Sequence, residues 1–246
     1  MAITTFKRYE MKFMLTQTQF DSLIPLLLEY MDLDKHCQSG KKYRVFSLYY
    51  DTHDNELIRH SLSKPYYKEK LRLRSYSVPA SLDDEVFLEL KKKIGGIVNK
   101  RRIILPLKDA YNFIQSGKCP EATSNFNKQV AHEIEYFLSH NNVRPATCIS
   151  YKRMALFGKD DKDFRITFDH DILTRREDLF LEKVGNEEPL FEKGQHLMEV
   201  KIFSAVPMWL SRALSDLKIY KTHFSKYGKE YENTCALVIP SLCAVN

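Results

Sequence analysis

The 246-residue sequence is short of structure breakers, with 8 Gly and 9 Pro, and it carries a single Trp. That scarcity excludes collagen-like repeats and low-complexity disorder. Its five cysteines (Cys37, Cys119, Cys148, Cys235 and Cys243) are odd in number, widely spaced and without a C-x-x-C pair. Neither a zinc ribbon nor a redox dithiol is suggested, and reduced thiols are expected. No apolar run reaches the roughly 20 residues of a spanning helix; the most apolar stretch, 235–245, is about half that length. The N-terminal residues MAITTFKR contain no apolar signal core, so the chain is expected to be cytoplasmic. Also missing are G-x-x-x-x-G-K-[ST], G-x-G-x-x-G, the kinase H-R-D and D-F-G pair, and H-E-x-x-H, so any phosphate or metal chemistry needs a different cradle.

What is present is a chain with 43% apolar residues and no linker, repeat or composition break. At this length roughly 70–75% of the unfolded surface can be buried, so one domain over 1–246 needs no metal or disulfide to hold its core. Thirty-eight Lys and Arg against 32 Asp and Glu give a net charge of +6, a mild bias toward anionic partners.

The hydrophobic periodicity predicts an alternation of strands and helices. Residues 8–15 alternate Arg8, Glu10 and Lys12 with Tyr9, Met11, Phe13 and Leu15, a strand with one wet face. Thr16 to Gln19 has capping-box form and opens a helix toward Tyr30. Polar residues 32–42 read as a loop, 43–51 as a strand and 55–62 as a short helix. Strands are expected at 67–76, 86–93 and 98–105, the last two joined by Gly95-Gly96 as a hairpin. Helices are expected at 109–117 and 127–140, strands at 147–157, 164–173 and 196–203, a helix at 207–217, and a basic, Tyr-rich tail at 218–232. In all, seven or eight strands interleave with about four helices.

The strands carry their cations on one face. Lys68, Lys70, Arg72 and Arg74 share a side of the 67–76 strand, opposite Leu71 and Leu73. Glu89, Lys91 and Lys93 share a side of the next strand, and Lys100 and Arg102 alternate in its partner. Like charges directly opposite each other across strands are destabilising, so a stack of Lys70, Arg72 and Arg74 beside Lys91, Lys100 and Arg102 calls for an anionic ligand. Arg dominates where the pattern is tightest, including Arg153 and Arg165, and its planar fork suits phosphate oxygens. Glu10, Glu89 and Glu199 occupy the same alternation. Such carboxylates can hold Mg²⁺ or Mn²⁺ beside a polyphosphate, or each can pair with a neighbouring cation; Glu199 is the better metal candidate. Asp169-His170-Asp171 reads as a strand end with His170 on the opposite face.

As an ordered series, RYEMK at 8–12, LYYDT at 48–52, KLRLR at 70–74, FLELK at 87–91, YKR at 151–153, MEVK at 198–201 and FSKY at 224–227 resembles the VTC domain. This is the polyphosphate polymerase branch of the triphosphate tunnel metalloenzymes, and the resemblance runs over nearly the whole chain. It implies an α+β fold in which eight antiparallel strands close into a barrel, the triphosphate tunnel, lined by Lys, Arg and Glu with helices outside. Carried over residue by residue, it implies phosphate contacts from Lys12, Arg72, Arg74, Lys91, Arg153, Lys201, Ser225 and Lys226, and metal coordination by Glu199. Alternation adds Arg8, Lys70, Lys100, Arg102 and Arg165 to the substrate contacts, and Glu10 and Glu89 to the metal candidates. Arg8 stands where the wider superfamily's E-x-E-x-K places its first Glu, which weakens a two-carboxylate metal site and favours the polymerase branch over the hydrolase branch.

The activity so implied is Mn²⁺- or Mg²⁺-dependent transfer of the ATP γ-phosphoryl group onto inorganic polyphosphate, with release of ADP. One alternative uses the same tunnel with water as acceptor, a tripolyphosphate or nucleoside triphosphate hydrolase in which Glu10 or Glu89 gains importance. Another is a module that binds polyphosphate without turnover. Nucleic acid is not expected as a partner, because the charge is only +6 and Glu residues are interleaved. Relatives can be fused to membrane modules, so membrane association is expected to come from a separate partner.

Overall fold

The computed structural model describes residues 9–77, 79–120, 125–203 and 205–243. Arg8, expected to touch substrate, lies outside them. Among the described residues are eleven strands and six α-helices, and no helix is long and apolar enough to cross a membrane. Two compact units assemble from interleaved stretches of chain.

The first unit draws on Met1–Arg44, Tyr151–Ile172 and Phe191–Phe224. It contains β1 (Tyr9–Leu15), α1 (Gln17–Tyr30), β2 (Met31–Leu33), a 3₁₀ turn (Lys35–Gly40), the second half of β7 (Arg144–Gly158), most of β8 (Arg165–Arg175), β10 (His196–Ile202), α5 (Met208–Asp216) and β11 (Lys221–Thr222). Its hydrogen-bonded order is β11-β1-β10-β8-β7, with β2 added to β7. The capping box forms: Gln19 N–H donates to Thr16 Oγ1 while Thr16 N–H donates to Gln19 Oε1, satisfying two donors that the first helical turn otherwise strands. Phe13 and Leu15, pointing opposite to Glu10 and Lys12, pack with Leu23, Leu27, Phe168, Val200 and Leu210 in one core. The expected polar loop 32–42 instead holds β2 and the 3₁₀ turn, because Asp34 caps the turn by accepting from His36 N–H.

The second unit draws on Val45–Ser150, Leu173–Leu190 and Ser225–Asn246. It contains β3 (Tyr43–Asp51), α2 (Glu56–Leu62), β4 (Tyr67–Ser75), β5 (Glu85–Ile94), β6 (Ile97–Pro106), α3 (Leu107–Ser116), α4 (Asn125–His140), the first half of β7, β9 (Glu188–Pro189) and α6 (Lys226–Cys243). Its order is β7-β3-β4-β5-β6, with β9 beside β8. Leu71, Leu73, Val86, Leu88, Leu90 and Ile103 face α3 and α4 through Phe113, Ile134 and Phe137. Burying these six against the helices forces the alternating residues, Arg72, Glu89 and Arg102 among them, onto the other face. The expected tail at 218–232 is in fact the entry into helix α6, anchored by Asp51. That buried carboxylate accepts from Leu57 N–H, Ile58 N–H and the Tyr227 hydroxyl, the last at 2.7 Å.

The α+β expectation is met, with antiparallel strands and six α-helices among the described residues. The hydrogen-bonded path runs from β11 to β6, and among the described residues no ladder joins those two strands.

Candidate functional site

Each unit presents a charged strand face, built by the same two-residue alternation that fills its core. In the first unit, the β1–β10 register sets Lys12 opposite Glu199 and Glu10 opposite Lys201, a checkerboard of signs. The next strand continues it, with Glu199 opposite Thr167 and Lys201 opposite Arg165. Lys12 Nζ lies 3.5 Å from Glu10 and 3.6 Å from Glu199, and donates to the Phe224 carbonyl at 3.0 Å. Glu199 also has Lys201 at 3.3 Å and Arg153 at 3.8 Å. Burial pushes the Lys201 ammonium below its ordinary pKa, and the neighbouring Arg153 and Arg165 add to this against the pull of Glu199 and Glu10.

Arg153 makes the strongest contact of this face, donating through Nε and Nη2 to the two oxygens of Asp169 at 2.6 and 2.8 Å. Both residues are buried. Burial alone would lower the arginine pKa, but Asp169 and the adjacent Tyr151 carry it well above its usual value. Asp169 was not among the expected site residues, although it shares the face of Arg165 and Thr167 in β8. His170, its neighbour, points the other way onto His196, and the Asp169-His170-Asp171 stretch lies inside β8, not at its end. Two polar atoms of the face are buried without a partner, Arg165 Nε and Thr167 Oγ1. Such groups cost about 1–3 kcal/mol each, a cost that a polar ligand would remove.

In the second unit the register corrects the expected stack of like charges. Glu89 sits directly between Arg72 on β4 and Arg102 on β5's other neighbour, β6. Fully buried, it accepts from Arg72 Nε and Arg102 Nε, both at 2.7 Å, and Lys100 Nζ reaches it at 2.5 Å. Burial alone would raise the Glu89 pKa, but Arg72, Arg74 and Lys100 outweigh it and hold the carboxyl well below the usual range. Lys100 moves the other way: burial and the adjacent guanidiniums lower it to about 7 despite Glu89. Arg102 stacks on Phe87 with its guanidinium 4.5 Å from the ring centre. Arg74 is buried and donates to Ser47 Oγ.

A row of a single sign also lies on this face. Lys70, Lys91 and Lys100 stand directly opposite one another across three strands. Lys70 donates to Ser225 Oγ at 3.2 Å, which brings the start of α6, with the buried Lys226, to this face. Sequence reasoning passed over Tyr49, although it lies in the LYYDT stretch. Its hydroxyl accepts from Arg72 Nη1 at 3.3 Å and its ring stacks on Tyr227. Burial would raise the Tyr49 pKa, yet Arg72 and Arg74 lower it.

Of the expected site residues, the first unit thus groups Glu10, Lys12, Arg153, Arg165, Glu199 and Lys201. The second groups Lys70, Arg72, Arg74, Glu89, Lys91, Lys100, Arg102, Ser225 and Lys226.

Glu89→Gln is expected to destabilise the protein by about 2–3 kcal/mol, less than a fully buried pair because its cations are partly solvated. Added tripolyphosphate should restore more of the lost melting temperature in this variant than it adds to the parent, since the freed cations gain a substitute anion. Equal increments in a thermal shift series would contradict that.

An antiparallel sheet with buried carboxylates clamped among guanidinium and ammonium groups defines a class of α+β protein whose strands present fixed arrays of positive charge. The VTC domain family matches residues 7–235, and the chain belongs to that family. In structure, the chain is similar to a proposed adenylate cyclase from Bacillus halodurans, at 14% identity over 89% of this chain and 95% of that one. The TM-score of 0.51 shows a shared fold. A proposed adenylate cyclase from Vibrio parahaemolyticus gives a TM-score of 0.45 at 13% identity, over 92% and 98% of the two chains. No curated protein matches the sequence.

Proposed function

We propose that the protein is a metal-dependent polyphosphate polymerase that transfers the γ-phosphoryl group of ATP onto inorganic polyphosphate and releases ADP. Membership of the VTC family supports a polyphosphate- or triphosphate-handling function. The observation that carries the reading is the array on β4, β5 and β6. Glu89 fixes Arg72, Lys100 and Arg102 in place, beside a row of three directly opposed lysines. Fixed cations set side by side on neighbouring strands suit a linear polyanion, and guanidinium forks grip non-bridging oxygens in pairs.

The chemistry asks for positioning and charge stabilisation. A terminal phosphate has a second pKa near 6, so the attacking oxygen is already largely ionised and no general base is needed. The barrier is the approach of two anions, about 1 kcal/mol per unit-charge pair at 4 Å in water and about 4 kcal/mol at an effective dielectric of 20. Preplaced cations offset it without reorganising when the reaction occurs.

A divalent metal is implied by the family, and the first unit's donor set fits one. Glu10 and Glu199 are hard oxygen ligands that both reach the Lys12 ammonium, so a cation can lie between them. Among the described residues no group of three His, Cys, Asp or Glu forms a self-sufficient cage, so water and phosphate oxygens would complete the shell. Bound there, Mn²⁺ or Mg²⁺ would neutralise phosphate oxygens. Lys12, Arg153 and Lys201 would orient those oxygens.

Purified protein supplied with ATP, Mn²⁺ and a short polyphosphate primer is expected to yield ADP and a lengthening polymer on gels. Orthophosphate as the sole product would indicate the hydrolase; tight polyphosphate binding with ATP left intact would indicate a binding module.

The low pKa of Lys100 predicts a pH dependence. Lys100 is cationic below about 7, so affinity for tripolyphosphate should fall as pH rises from about 6 to about 8, and binding in that window should take up a proton. Lys100→Arg keeps its charge throughout and should flatten the profile in calorimetric titrations. A parent profile as flat as the variant's would overturn the assignment.

A further inference from the structure

We infer that the tip of the β5–β6 hairpin is a docking surface for an anionic lipid membrane, centred on apolar side chains of the face opposite the charged one. In β4, β5 and β6 the core-facing parity does not stop where the helical cover stops. It continues past Arg101 and Lys92, which pair with Glu133 of α4, to Tyr67, Ile94 and Ile97, which are exposed among the described residues. Ile94 and Ile97 are 44% and 48% exposed, and Tyr66 beside them is 76% exposed. Tyr67 pairs with Ile94, and Ile94 with Ile97, so the three adjoin on one face. Val98 adds an exposed side chain on the other face of the same tip. Gly95 and Gly96, with φ of +53° and +88°, make the two-residue turn that lets the strands end this tightly. The Tyr66 ring lies against Gly95, where an added Cβ would meet it at 3.0 Å.

Isolated exposed apolar residues need no explanation, but a cluster at the end of an edge strand is an aggregation hazard that folded proteins cover or charge. Here the charge is of one sign. Lys68 stands directly opposite Lys93, and both, with Lys64, repel one another strongly enough to add to the burial that lowers Lys68's pKa. Among the described residues none of these three lysines has a carboxylate partner. Apolar and aromatic side chains at a hairpin tip, with lysines lacking a carboxylate on its other face and in the adjoining loop, match the two layers of a membrane surface: acyl chains for the isoleucines, the interface for the tyrosines, anionic headgroups for the ammonium groups.

The test is co-sedimentation of the full chain with phosphatidylcholine vesicles, with and without phosphatidylglycerol. Binding is expected only with phosphatidylglycerol and should weaken with salt. Ile94→Asp with Ile97→Asp should reduce it at least ten-fold, and Lys64→Gln roughly five-fold. These side chains are solvated, so thermal unfolding should be unchanged, and ATP turnover, if present, should be retained; loss of turnover in the parent would bear on the polymerase reading alone. Excess tripolyphosphate, which would fill the phosphate-binding face, should not release the isoleucine-dependent component. Equal binding to neutral vesicles, no binding to either, or binding unaffected by the Ile94→Asp/Ile97→Asp pair would overturn the inference. So would a concentration-dependent dimer that the same pair abolishes, which would make a second copy the occupant.

Discussion

Arg153→Ala is expected to cost about 3–5 kcal/mol of stability, the largest effect of any single substitution in the charged faces. The guanidinium and Asp169 are both buried and share two short hydrogen bonds. Removing the arginine takes two short hydrogen bonds and the opposing charge from a buried carboxylate, whereas the attraction lost on an exposed pair would be screened. A chain of this length should lose roughly 10 °C in melting temperature. Arg153→Lys retains the charge but not the fork, and should fall between the parent and alanine. The informative control replaces both partners: Arg153→Met with Asp169→Leu removes the uncompensated charge and should recover most of the stability. If the double variant is as unstable as Arg153→Ala, the cost lies in packing and not in the orphaned carboxylate. If the double variant is stable yet fails to bind tripolyphosphate, the arginine serves the ligand as well as the fold.

Arg72→Ala should separate chemistry from stability in the opposite sense. Glu89 retains Arg102 and Lys100 when Arg72 is lost, and Arg72 is partly solvated, so the folding cost is expected near 1 kcal/mol. The cost in turnover should be far larger, about 10²–10³-fold, because a preorganised donor acting on developing charge contributes most in the transition state. The loss should appear in kcat as well as in KM. Tyr49 offers an internal check, since Arg72 is the foremost group drawing its phenol pKa down. In Arg72→Ala the phenolate absorbance of Tyr49 should therefore emerge at higher pH. Turnover within a few-fold of the parent would remove Arg72 from the reacting centre.

The two classes of residue differ in how visible they were beforehand. Lys70, Arg72 and Arg74 stand out because strand period alone puts them opposite Leu71 and Leu73. Burial of those leucines against α3 and α4 leaves them no other face. Glu89 was visible as a member of its face, but not as the hub of three cations, because that role depends on the register that sets it between Arg72 and Arg102. Asp169 was hidden for the same reason: its tie to Arg153 crosses from one strand to another and is not encoded in the neighbourhood of either residue. Asp51 and Tyr227, 176 positions apart, carry no local sign that one will anchor the other.

By itself the sequence determined the alternation of strands and helices, the one-sided placement of the cations, the capping of α1 and the family. All of these follow from periodicity, local hydrogen bonding or the order of short motifs, which reach only a few residues along the chain. The tertiary structure decided the order and register of the strands and the partners of buried charges such as Glu89, Arg153 and Asp51. Those depend on which strand lies beside which and in what register, and pairing between distant segments is settled by the packing of the whole.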